Sequence, residues 1–238
     1  MSNKYDLSEV YPNSPLVEVI SEIRFPGELA IECRRNDFFD RIRNEYPKIL
    51  IPQSGNKPIT SLTPYRFENE SQTAGIMMAI DRFSFFDRDY AGHKRFIKEF
   101  VRLAKILGEI YSIKKLNRLG WRYINVIPFN REDEIIPIQR FINFGFKLPE
   151  GISNKFTNLS IVFMSKVQDG TVTTRIESII RSEDQQEALL MDFDFAITKG
   201  ITLSRINSCV NKAHKQTRNL FEKLITDDYR EYLRGEMI

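Results

Sequence analysis

Polar and apolar positions alternate with a period of two along residues 15–25. Val17, Val19, Ile23 and Phe25 share one face; Glu18, Glu22 and Arg24 share the other, with Ile20 among them. The pattern predicts a strand with one buried and one wet face, closed by Pro26-Gly27. Residues 35–46 fit a helix with Asn36 or Asp37 as cap, Phe38, Phe39 and Ile42 as apolar members, and Pro47 as stop. Residues 49–64 are rich in Pro, Gly, Ser, Thr and Asn, the composition of a mobile surface loop. Strands are expected over 65–71 and 76–86, paired as a hairpin.

A helical period then takes over. In residues 92–111, Phe96, Phe100, Leu103, Leu107 and Ile110 form a stripe widened by Ile97, Val101 and Ala104, while Lys94, Arg95, Lys98, Arg102 and Lys105 fill much of the rest. Alternation returns over 116–129, with Leu119, Trp121, Tyr123, Asn125, Ile127 and Phe129 on one face. An acidic, Pro-containing connection at 130–138 divides the chain into halves 1–130 and 131–238, and a short helix is expected at 137–144. Strands at 158–167 and 171–180 flank Asp169-Gly170, a hairpin signal because both positions tolerate positive φ. A strand at 188–198 precedes the longest run, 201–233, read as one amphipathic helix. Its stripe is Leu203, Ile206, Val210, Ala213, Thr217, Leu220 and Leu224, with Thr202 or Ser204 as N-cap, His214 at the edge of the stripe, and Leu224-Ile225-Thr226-Asp227 as a place for a break.

Runs of adjacent strands followed by single long helices predict an α+β fold: an antiparallel sheet with long amphipathic helices packed on one face, in one domain of two structurally similar halves. A doubly wound parallel sheet would need a regular strand–helix alternation that is missing. The chain of 238 residues is long enough to bury its own core.

Composition narrows the chemistry. A net charge of +3 permits nucleic-acid contact without demanding it. The only cysteines, Cys33 and Cys209, have no metal-type spacing partner and are expected to be buried thiols. The polar start and the absence of a long apolar run predict a cytoplasmic protein that does not enter a membrane. Only two histidines exist, His93 and His214, and no His-Glu-x-x-His, Gly-x-Ser-x-Gly, Gly-x-Gly-x-x-Gly or phosphate-loop pattern occurs. Neither a metal nor a cofactor is expected.

Two constellations remain. Asp192 and Asp194 alternate with Met191, Phe193 and Phe195, which puts both carboxylates on one strand face roughly 7 Å apart. Glu18 and Glu22 are placed likewise on the first strand. Arg24 and Arg122 fall on polar strand faces where they can pair with these acids. A structural ion-pair network is the plainer reading, and a charged ligand or divalent-ion face the alternative. The second constellation is the basic helix face of Lys94, Arg95, Lys98, Arg102 and Lys105, a solvated face or a nucleic-acid contact.

The segments SPLVEVISEIRFP, LGWRYINVIPF and AHKQTRNLFEKLITDDYREYLRG, in that order, resemble a sporadically distributed, uncharacterised family of prokaryotic proteins of about this length. The resemblance implies no activity, substrate or catalytic residue. Patchy distribution implies an accessory role, in mobile or defence-type gene sets.

Together these readings favour a non-enzymatic binding or interaction protein that meets a protein partner or small ligand through the sheet edge or loop 49–64. Aromatic-rich sheets often leave a patch to cover, so a homodimer is also expected. A nucleic-acid-associated accessory protein using helix 92–111 and a carboxylate- and metal-dependent enzyme are the alternatives.

Overall fold

The computed structural model describes residues 10–51, 64–145 and 148–236. The chain runs β1 (Leu16–Arg24), α1 (Ala30–Cys33), α2 (Arg35–Ile42), β2 (Lys48–Leu50), β3 (Tyr65–Glu68), β4 (Ala74–Ala79), β5 (Arg82–Asp87), α3 (His93–Tyr111) and β6 (Arg118–Pro128). It continues with α4 (Ile138–Phe141), β7 (Ser160–Val167), β8 (Gly170–Ile180), β9 (Glu187–Ile197), a 3-10 turn at Leu203–Arg205, α5 (Ile206–Leu224) and α6 (Asp227–Arg234). The nine strands form one antiparallel sheet ordered β2-β3-β4-β5-β1-β6-β9-β8-β7. An α+β architecture with an antiparallel sheet is therefore observed.

The two-residue alternation places the core. Val19, Ser21 and Ile23 of β1 are buried, as are Leu119, Trp121 and Tyr123 of β6 and Met191, Phe193 and Phe195 of β9. Helix side chains meet the strand rows: Phe96 lies edge-on to Trp121 at 5.2 Å and tilted against Phe85 at 4.9 Å, and Phe221 lies edge-on to Phe193 at 6.2 Å. Phe38 of α2 meets Phe83 at 5.8 Å. Each such aromatic contributes roughly 1.5–3 kcal/mol by leaving water, which outweighs the smaller gain from ring geometry.

Several expectations are corrected. The run 76–86 is two strands, because Ile80-Asp81 turns the chain between β4 and β5. Helix α2 starts after Arg34, and neither Asn36 nor Asp37 caps it. Cys33 is exposed; Cys209 is buried. The run 201–233 is two helices, broken within the 224–227 stretch where a break was expected: Ile225, with extended backbone (φ −73°, ψ 149°), ends α5. Thr202 precedes the 3-10 turn without a capping hydrogen bond. The buried stripe of α5 is Ile206, Val210, Ala213, Thr217 and Phe221, with Cys209 and His214 beside it; Leu203, Leu220 and Leu224 are half-buried. His214, expected at the edge, is only 4% exposed. Of the expected loop 49–64, residues 49–50 belong to β2, and 52–63 lie outside the described residues.

Candidate functional site

Three polar constellations stand out from this frame. The first lies on the central strands, on the side chains that alternate with the buried set. Arg118 bridges strands: its Nη1 donates to Glu22 Oε1 at 3.2 Å and its Nη2 to Asp194 at 3.0 Å. It reaches both because it folds back over Gly120, where a Cβ would stand 2.4 Å from Arg118 Nη1. Arg24 donates to Glu22 at 2.7 Å, and Arg88 to Glu18 at 2.9 Å. Arg122 clamps Asp192 through Nε at 2.7 Å and Nη2 at 2.6 Å. That fork raises the Arg122 pKa, chiefly through its hydrogen bonds to Asp192. Burial pushes the Asp194 carboxyl upward against the pull of Arg118 and Arg122.

The structure thus gathers Glu18, Glu22, Arg24, Arg122, Asp192 and Asp194 into one lattice of alternating charge. Every carboxylate in it already holds a guanidinium, so a divalent ion there would first have to displace one. Among the described residues no three His, Cys, Asp or Glu side chains converge in a metal-holding group. Two members, Arg88 and Arg118, were not singled out for this face from sequence; the Arg118-x-Gly120 spacing is the signal that carries the second.

The second constellation is a groove of about 820 Å³ between α3 and the start of α5. Lys94, Lys98, Arg102 and Lys105 follow one another along α3 at helical spacing and form its basic wall, joined by Arg41. Ile97, Val101, Ile106, Leu203 and Ile206 supply apolar lining, and Ser204, Asn207 and Asn211 a neutral polar wall. Gly108 lets the walls meet, since a Cβ there would stand 2.1 Å from Leu203 Cδ2. Lys94, Lys98 and Lys105 are exposed. Arg102 is committed to Glu99, with Nη2 2.6 Å from Oε1. Glu109 is the one acidic residue of the lining, and it pairs with Arg41 at 3.3 Å. Arg95, expected with the other cations, lines a separate depression beside Asp87 and Glu99.

The third constellation was legible only as two isolated histidines. The rings of His93 and His214 stack at 4.1 Å with an interplanar angle of 9°. Tyr123 Oη lies 2.7 Å from His214 Nδ1 and 3.1 Å from Tyr90 Oη, forming a chain of three polar groups under the helices. Burial is the main force lowering the His93 pKa, and Lys94, Lys215 and Arg218 lower it further. Arg218, Glu222 and Arg230 form a buried cluster behind this chain, with Tyr11 Oη donating to Glu222 at 2.9 Å.

No family model and no curated protein matches this chain. The three segments that carry the resemblance fall on β1, on β6, and on the run from α5 into α6. No helix among the described residues is long and apolar enough to cross a membrane.

Proposed function

We propose that this chain is a non-enzymatic binding protein that holds an acidic amphipathic segment of a partner protein in the α3–α5 groove. One observation carries the reading: four of the five basic residues expected on α3 converge, with Arg41, on one groove with an apolar lining. Apolar rows flanked by cations suit a helix that presents Leu or Ile on one side and Glu or Asp beside them. The lining contains no Phe, Tyr, Trp or His, so it offers no platform on which nucleic-acid bases would stack. The ion-paired strand face supports a structural role for the sheet and leaves the groove as the contact surface.

The same frame supports a finer reading of the fold. Ring contacts from α2, α3 and α5 all reach the buried strand rows, which favours helices on one face. The orders β3-β4-β5-β1 and β7-β8-β9-β6 mirror each other about the β1–β6 pair, and each ends in a long helix, which favours two related halves.

Fluorescence anisotropy of a labelled Leu/Glu helical peptide tests the binding reading, beside single-stranded and duplex oligonucleotides. Peptide binding should be tight at low salt and weaken steeply as the Debye length falls from about 30 Å at 0.01 M to about 10 Å at 0.1 M. Lys98→Ala with Lys105→Ala should weaken it about tenfold or more. Binding of the oligonucleotides and not the peptide would replace the proposal with nucleic-acid association; binding of neither would end both.

A further inference from the structure

The sheet ends differently at its two sides. One side is β2, 3 residues long; the other is β7, 8 residues long, whose sheet neighbour is β8. Ser178 N donates to Leu159 O, and this bond fixes the phase of the β7–β8 ladder. Leu159, Ile161, Phe163, Ser165 and Val167 turn their backbone groups toward β8; Ser160, Val162, Met164 and Lys166 turn theirs outward. Among the described residues nothing pairs with that outward row.

The side chains of the outward residues are exposed too, Val162 at 53% and Met164 at 69%. They alternate with half-buried ones, of which Phe163 stacks on Phe144 at 6.0 Å. Soluble sheets protect long edges with prolines, bulges or charges. In β7 the register runs unbroken from Ser160 opposite Glu177 to Val167 opposite Gly170. It holds no proline, and its one charge, Lys166, stands near the end. Ile161-Val162-Phe163-Met164 is a short, uncharged apolar strand of the sort that templates pairing with another chain.

We propose that β7 is the seam of a homodimer, pairing antiparallel with β7 of a second copy about a two-fold axis at Phe163 and joining the two sheets into one. Among two-fold registers that pair the outward groups, this one is complementary. Val162 faces Met164 of the second copy and Met164 faces its Val162, so the exposed apolar side chains cover one another. Lys166 faces Ser160 of the second copy. Beside Ser160 lies Glu177, whose Oε1 accepts from Ser160 Oγ at 2.9 Å and stands 3.6 Å from Arg175 Nε. Lys166, without an ion pair among the described residues, gains this carboxylate at each end of the seam. The outward row supplies about eight backbone hydrogen bonds. Moving the axis to Val162 would set Met164 against Ser160; moving it to Met164 would set Lys166 against Val162. A seam of this symmetry closes on itself and leaves no β7 edge to extend. It is independent of the groove, which none of these residues lines.

The test is sedimentation velocity of the full chain over a wide range of concentration. The 28.0 kDa monomer should give way to a species of twice that mass as concentration rises. The Met164 N–H points away from β8, so Met164→Pro spares the chain's own ladder and blocks the seam; it should weaken dimerisation at least tenfold. Met164→Lys keeps the N–H and sets a charge against Val162 of the second copy. It should weaken dimerisation by a similar factor, which separates loss of the seam from poor folding of the proline variant. Phe163→Cys reads the register, with the exposed Cys33 changed to Ser. Opposed residues in a non-hydrogen-bonded pair stand about 4.5 Å apart at Cα, within disulfide reach. This variant should cross-link between chains faster than Val162→Cys. Lys98→Ala should leave the dimer unchanged while impairing peptide binding. A monomer at every concentration, a dimer indifferent to both Met164 substitutions, or faster cross-linking at position 162 than at 163 would overturn the proposal.

Discussion

Asp192 and Asp194 sit two residues apart on one strand face, yet they are held in different ways. The Asp192 side chain is 8% exposed and takes both arms of the Arg122 fork; that of Asp194 is 40% exposed and shares Arg118 with Glu22. Replacing Asp192 by Asn leaves a guanidinium without its charged partner and should cost about 1–3 kcal/mol in urea unfolding. Asp194→Asn should cost less than about 1 kcal/mol, because Arg118 keeps Glu22 and the site is wetter. The pH dependence follows from the raised Asp194 pKa. A raised carboxyl favours the folded state below its ordinary range, and that contribution is lost as pH rises through the raised value. The wild type should therefore lose ground to Asp194→Asn between acid and neutral pH. Alternation alone placed all four acids on polar strand faces. It could not choose their partners, because Arg118 finds Glu22 and Asp194 across two different strands.

Elements with strong periodicity were readable, and their ends were not. The α3 stripe and the alternating rows of β1, β6 and β9 follow the sequence closely because burial there obeys one geometric rule. The break between α5 and α6 escapes that rule: Ile225, Tyr229 and Leu233 are all buried, so the apolar signal runs on through it. Local chemistry makes it. Thr226 Oγ1 accepts from Tyr229 N at 3.1 Å and donates to Arg140 O at 2.8 Å, and Asp227 and Asp228 occupy the first turn that follows. Thr226→Ala should cost about 1 kcal/mol, read as a lower thermal midpoint. Thr226→Ser keeps the oxygen and should recover most of it. The turn between β4 and β5 was hidden for a similar reason, since Ile80-Asp81 interrupts a run of apolar residues too briefly to disturb its pattern.

Across the whole molecule, tyrosines tie the layers together. Burial pushes Tyr90 and Tyr111 up to about 12, and Tyr46, Tyr123 and Tyr229 also rise. These groups keep their protons in the folded chain at pH values where the unfolded chain has begun to lose its own. Stability should hold below pH about 10 and decline between about 10 and 12. Ultraviolet titration of phenolate should show these tyrosines ionising together with the loss of near-ultraviolet circular dichroism. Phenolate appearing well before unfolding would contradict the burial. The histidine–tyrosine chain and the groove belong to this scale as well: each draws on segments far apart in the chain, and local patterns carry no record of such meetings.

The pairing of β1 has a consequence for how the chain is made. Ile20 stands opposite Phe86 of β5 on one side and Arg122 of β6 on the other, so the first strand to be synthesised waits for both neighbours. Once β5 has left the ribosome, five strands can associate, and the far edge of β1 stays bare while α3 is translated. That interval, ending only when β6 emerges, is when a nascent chain is most open to capture by another copy or by a chaperone. Ribosomal pausing at codons between Asp87 and Arg118 would lengthen it.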